Sequence, residues 1–215
     1  MLKLYSYWRS SASYRVRIAL ALKGVEYEYL PVHLVRNGGE QNQAAYRALN
    51  PQGRVPLLID GDFHLAQSLA ILDYLEARYP QPALIPADAQ QRARMWAFCH
   101  AIAGDIQPLQ NTGVLNYLSD VIKVSDEQKA MWIRHWIERG LIALEQEQKD
   151  APSSDFVFGN SATLADCVLL PQVYAAERFK CDVKKFPRLH ATALRLRELP
   201  AFAQAHPDRQ PDANG

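Results

Sequence analysis

The chain changes its pattern once, and the change falls on prolines. Pro80, Pro82 and Pro86 cluster within a few residues. Before them, apolar residues alternate or run in short Val-, Leu- and Tyr-rich stretches. Beyond Asp88 the strand signals vanish and apolar residues recur every three or four positions. A proline cluster makes a poor helix or strand and suits an ordered linker. The chain therefore reads as an α/β part over residues 1–80, a linker at 81–87 and an all-α part over 88–215. With 215 residues and 48% hydrophobic content, either part can bury a core.

Within the first part, Leu2, Leu4, Tyr5 and Tyr7 suit a strand, and Val16, Ala19, Leu20 and Lys23 recur at helical spacing until Gly24 stops the run. Ser10, Ser11 and Ser13 mark the turn between them. At such a turn the orphan N–H groups and the positive end of the helix dipole favour an anion or thiolate, and a hydroxyl adds a donor. Serine is equally the ordinary N-cap residue. A second strand follows over 25–34, parallel to the first. Residues 41–49 form a short helix ended by Asn50-Pro51, and 55–65 form a hairpin turning at Asp60-Gly61. Pro56 stands just before a buried-looking strand, where a cis Val55-Pro56 bond is expected. A helix capped by Ser68 closes before Pro80, giving the order βαβαββα.

Composition narrows the partners. Twenty-four basic against 23 acidic residues leave a formal charge of +1, with no electrostatic footprint for nucleic acid or an anionic membrane. No apolar run approaches the roughly 20 residues of a membrane span, and the N-terminus has no signal-peptide layout. Cys99, Cys167 and Cys181 are far apart, as suits structural thiols in a reducing, cytoplasmic setting. The histidines show no metal-ligand spacing, so no metal is expected.

In the second part, helices are expected over 88–118 with a break near Pro108, and over 126–148 with Trp132, Trp136 and Leu144 spaced for burial. Thr163 and Asp166 form a capping box opening the apolar helix at Cys167 to Leu170, which Pro171 should kink. Pro187 starts another helix through Arg197, and the last ten residues read as a surface-hugging or frayed tail.

Specific segments go further than layout. Ser10-Ser11-Ala12-Ser13-Tyr14-Arg15-Val16-Arg17 resembles the S-S-C-S-W-R-V-R signature of the zeta class of glutathione transferases, to which maleylacetoacetate isomerases belong. Val32-His33-Leu34 with Gly38-Gly39-Glu40-Gln41, Leu49-Asn50-Pro51 with Val55-Pro56, and Gln67 to Ile71 are similar to zeta-class sequence. So are Ile106 to Asn111, Ala176 to Phe179, and His206-Pro207 through Pro211-Asp212. The resemblance implies a thioredoxin-like glutathione-binding domain followed by a helical substrate-binding domain.

It also implies an enzyme: a glutathione-dependent cis–trans isomerase converting maleylacetoacetate to fumarylacetoacetate in aromatic amino-acid breakdown. Glutathione would be the cofactor, a dicarboxylate the substrate and a homodimer the assembly. On that resemblance Ser10 would hydrogen-bond the glutathione sulfur, helped by Ser11 and by the helix start at Ala12, Ser13, Tyr14 and Arg15. Val55 would pair its backbone with the peptide. Gln67 and Ser68 would take the γ-glutamyl end and Gln41 the glycyl end, with Gln107, Asn111, Thr112 and Gly113 closing from the helical part. Arg15 and Arg178 are the candidates for the substrate's carboxylates and the developing enolate.

The chain departs from that signature at Ala12, which in place of the family's Cys leaves neither thiol nor hydroxyl, and at Tyr14 in place of Trp. Tyr5 or Tyr7 could instead activate the thiol, as in other transferase classes. Maleylpyruvate isomerisation, glutathione transfer to small α-halo acids, and a non-catalytic binding module are the alternative readings.

Overall fold

The computed structural model describes residues 1–150 and 154–213. They divide into two compact units, Met1–Leu84 with the segment from Leu199 onward, and Ile85–Glu198. The C-terminal segment, expected with the helices, thus packs on the first unit instead.

The first unit is built on a mixed sheet in the order β2-β1-β3-β4, from β1 (Leu2–Ser6), β2 (Tyr27–Pro31), β3 (Leu57–Asp60) and β4 (Phe63–Ala66). β2 runs parallel to β1, while β3 runs antiparallel to both β1 and β4. Leu4 stands opposite Leu58, and Leu58 opposite Leu65, so the leucines stack across the sheet. Each of the two fully buried ones, Leu4 and Leu58, contributes about 2 kcal/mol of burial. The hairpin turns at Gly61, whose φ of 59° is the left-handed conformation that Asp-Gly turns require.

α1 (Ser11–Leu22) follows β1. It ends as its sequence dictates: Gly24 takes φ 61°, and the Gly24 and Val25 N–H groups return to the Ala21 and Leu20 carbonyls. α1 packs against α3 (Ser68–Arg78), burying Val16, Ile18 and Leu20 with Ile71, Leu72 and Leu75. A second cluster joins Tyr7, Val32, Val55, Leu57 and Ile59 to Tyr46 of α2 (Ala44–Leu49).

The second unit is helical among the described residues: α4 (Ala89–His100), α5 (Thr112–Asp120), α6 (Asp126–Glu147), α7 (Leu164–Arg178) and α8 (Pro187–Glu198). Between α4 and α5 the chain passes through a π turn at Ala101–Ile106 and a 3-10 turn at Gln107–Gln110, the break expected near Pro108. α6 buries Ile133, Ile137, Leu141 and Leu144, while Trp132 and Trp136, expected in the core, are only half-buried. Trp132 keeps its indole N–H near the surface to donate to the Leu109 carbonyl at 2.7 Å. α7 is buried along most of its length against α4 and α8, and runs on through Pro171. Its start is the expected capping box. The Asp166 carboxylate receives the Thr163 N–H and the Val157 N–H, each at 2.8 Å, and the Thr163 hydroxyl at 2.9 Å. α9 (Pro200–Gln204) then returns to the first unit, against α1.

Candidate active site

Ser10 is the N-cap of α1, and its Oγ accepts the Ser13 N–H at 3.2 Å. That bond uses a lone pair and leaves the hydroxyl proton to be donated elsewhere. Ser10, Ser11 and Ala12 are half-buried at the helix start, within reach of a ligand. Ser13 and Tyr14, also expected beside the ligand, are 0% and 1% exposed. The Tyr14 ring packs edge-on against His206, and the N–H groups of both residues are already bonded to Ser10. Ala12 leaves the family's thiol position with a methyl group, so the site has no thiol of its own there.

Arg15 is 1% exposed and donates from Nη1 to Ser68 Oγ at 3.2 Å. That bond ties Arg15, expected to face the same side as Ser11, to the start of α3. Ser68 is correspondingly not the cap of α3. Gln67 caps the helix through its backbone, at φ 74°, and no side chain caps the first turn. The Gln67 amide reaches outward to Gln52 Oε1 at 2.6 Å. α3 therefore presents its first-turn N–H groups next to two polar side chains, an arrangement suited to a carboxylate.

Val55 precedes β3 through a cis bond to Pro56, as expected. Its loop is fixed from behind, because the Arg54 carbonyl accepts from the Tyr46 hydroxyl at 2.6 Å and from the Asn50 amide at 2.8 Å. Gln41 is buried, and its Oε1 has no hydrogen-bond partner among the described residues.

Two arginines were not singled out by sequence. Arg9, on the turn before Ser10, stacks its guanidinium 4.7 Å from the Trp8 ring centre and donates to the Tyr7 hydroxyl at 3.1 Å. Its Nε is buried with no partner among the described residues. Arg17 is 1% exposed and donates to the Ser6 hydroxyl and to the carbonyls of Tyr7, Trp8 and Ala205. Burial lowers its pKa against the opposing pull of Tyr29, Tyr27, Tyr14 and the Asp212 carboxylate. The paired arginines at 15 and 17 belong to the quoted signature, but burial of a charge is not visible in helical spacing. Tyr7, weighed as a thiol activator, is buried and its hydroxyl oxygen accepts from Arg9, and the Tyr5 ring packs at a tilt against Tyr46.

The remaining candidates lie in the helical unit. Gln107 opens the 3-10 turn, Asn111 caps α5 by accepting the Thr112 N–H at 2.7 Å, and Gly113 follows in its first turn. Arg178 ends α7, exposed, with its guanidinium 4.3 Å from the Phe179 ring centre. Cys99, Cys167 and Cys181 are buried thiols outside any disulfide, and burial pushes the Cys181 thiol up to about 12, away from reactivity. Among the described residues no group of His, Cys, Asp and Glu could hold a metal ion.

A thioredoxin-like sheet with a cis proline before its third strand, a serine-capped first helix and an open α3 start define a glutathione S-transferase N-terminal domain, and that family's model matches residues 1–77. The chain is 51% identical to the maleylacetoacetate isomerase of Pseudomonas aeruginosa, over 98% of each. It superposes with a TM-score of 0.95, at 44% identity over 98% of this chain and 99% of the other, on the holo structure of maleylpyruvate isomerase, described as a bacterial zeta-class transferase. A maleylacetoacetate isomerase from Anaeromyxobacter dehalogenans, solved with dicarboxyethyl glutathione and citrate in its active site, matches at 44% identity and a TM-score of 0.87 over 99% of this chain and 94% of that one. The chain belongs to the zeta class of the glutathione transferases.

Proposed function

We propose that the protein is a glutathione-dependent cis–trans isomerase converting maleylacetoacetate to fumarylacetoacetate, with the first unit holding glutathione and the helical unit contributing to the substrate site. The observation that carries this reading is Ser10: its Oγ accepts from the helix it caps, so its O–H is free to donate outward. A sulfur receiving that bond also meets the positive end of α1 and the Ser11 N–H, and each favours thiolate over thiol.

Bound glutathione supplies a thiolate that adds to the conjugated cis alkene, makes its double bond temporarily single, and is regenerated when the trans alkene reforms. The chain's own residues bind and orient. Val55 offers its backbone N–H and C=O to the peptide as a strand edge does. Gln67, Ser68 and the first turn of α3 take the γ-glutamyl carboxylate, and Arg15 holds Ser68 in place for them. The buried Gln41 amide serves the glycyl end, while Gln107, Asn111, Thr112 and Gly113 are the helical unit's contribution. Arg178 pairs with the substrate's carboxylates and the charge that develops beside them, and Arg9, on the turn before Ser10, adds a second cation near that charge.

The test is conversion of maleylacetoacetate with substoichiometric glutathione, followed by NMR beside a free-thiol assay. Complete conversion to the trans product at constant free thiol is the expected result, and loss of thiol equal to product would make the protein a conjugating transferase instead. Turnover of maleylpyruvate but not maleylacetoacetate would favour the second reading, to which the likeness to the maleylpyruvate enzyme points. The same reading makes the protein a cytoplasmic homodimer, a setting that its buried thiols, none in a disulfide, suit. Light scattering at assay concentration measures the mass.

A further inference from the structure

The C-terminal segment holds the turn that presents Ser10. Between β1 and α1, the Trp8 backbone is gripped on both sides of its Cα. Its N–H donates to Asp212 Oδ2 at 3.1 Å, and its C=O receives Arg17 Nη2 at 3.0 Å. The Tyr7 carbonyl, one residue earlier, receives the Ser10 N–H at 3.0 Å and Arg17 Nη1 at 3.4 Å. Two side chains from outside the turn thus fix the peptides on which Ser10 is hung.

Both grips trace to the same segment. Asp212 belongs to it directly, and Arg17 is steadied by it, donating from Nε to the Ala205 carbonyl at 3.2 Å. The segment is itself braced. Gln210 Nε2 donates to the carbonyls of Gln204 and His206, and the His206 ring stands edge-on to Tyr14 of α1. The second carboxylate oxygen of Asp212 receives the Tyr29 hydroxyl of β2 at 2.6 Å, which fixes the rotamer that meets Trp8. Burial and this bond hold the Tyr29 hydroxyl protonated well above the ordinary tyrosine range, so it stays a donor.

We infer that Asp212 is a positioning residue: by accepting the Trp8 N–H it sets the turn from which Ser10 meets the glutathione sulfur, and so couples the docked C-terminal segment to thiolate formation. The inference rests on the role proposed above for Ser10. Alanine at 212 removes both bonds and lets the turn relax. Asparagine keeps them, with Oδ1 accepting from Trp8 and Nδ2 donating to the Tyr29 oxygen.

The experiment titrates the thiol of bound glutathione by its ultraviolet thiolate absorbance in wild type, Asp212→Ala, Asp212→Asn and Tyr29→Phe, with glutathione affinity and isomerase kcat measured on the same samples. Asp212→Ala should raise the bound thiol's pKa and lower kcat about tenfold to a hundredfold, the scale of a displaced catalytic group. Glutathione affinity should stay within about threefold, since the Val55 and α3 contacts are untouched. Asp212→Asn should restore both values, and Tyr29→Phe should fall between. An unchanged thiol pKa in Asp212→Ala, or an Asp212→Asn that matches alanine and so traces the effect to charge, would overturn the inference. Should Asp212→Ala not fold, an Asp212→Asn like wild type with a shifted Tyr29→Phe still supports it, and a Tyr29→Phe with wild-type thiol pKa and kcat refutes it. If wild type binds glutathione but isomerises nothing, the functional reading fails while the thiol titration still decides the inference. If wild type binds no glutathione, both fail.

Discussion

Replacing Asp166 by alanine removes the acceptor that starts α7. Three donors converge on that carboxylate, and Val157, Thr163 and Asp166 are all buried. Each N–H left without a partner costs on the order of 1–2 kcal/mol, with less for the hydroxyl, so the substitution should cost about 3 kcal/mol. α7 carries much of the second unit's core, so the loss should appear as a lower urea midpoint with an unchanged slope. A cost under about 1 kcal/mol at pH 7 would refute the reasoning, since the donors would then have other partners.

The same carboxylate gives a pH signature. Burial, outweighing the three donated bonds, pushes its pKa from 3.8 up to about 6. The folded state therefore holds the proton more tightly than the unfolded chain. Asp166 adds stability below about pH 4 that is lost as the pH rises through about 6, by roughly 3 kcal/mol. Asp166→Asn cannot titrate, so the stability difference between the two proteins should change across that window and be flat above it. A flat difference throughout would contradict the assigned cause.

Lys23→Met should destabilise by about 3 kcal/mol, because it strips Glu76 of an ion-pair partner at 2.7 Å and the Tyr79 and Pro82 carbonyls of their donor; chemical denaturation measures it. Gly140→Ala should cost about 1–3 kcal/mol in the same assay, because a Cβ there runs into the Ile106 side chain. Gln67→Ala should weaken glutathione binding about tenfold by calorimetry, while the melting temperature holds because this side chain is exposed.

What the sequence disclosed was what local rules govern. The Asp60-Gly61 hairpin, the Gly24 stop of α1 and the Thr163/Asp166 box each depend on a few neighbouring residues, and each stands where expected. What it concealed depends on distant partners. Ser68 reads as a cap in isolation, but Arg15 claims its hydroxyl and Gln67 takes the cap. The terminal segment reads as a tail, but Asp212 bonds residues some two hundred positions away. Ser13 and Tyr14 share the signature with Ser10, yet the turn of the helix buries them. Arg9 and Arg17 carry no spacing that separates them from surface cations.

The central claim is that the Ser10 hydroxyl makes the bound thiol reactive, and its direct test is kcat for glutathione-dependent isomerisation in wild type and Ser10→Ala at saturating glutathione. Loss of one donor aimed at developing charge should lower kcat about a hundredfold or more. Loss of the cap should cost only about 1 kcal/mol of stability. A Ser10→Ala protein that binds glutathione and turns over within about threefold of wild type would contradict the account, since a lost donor costs far more than that.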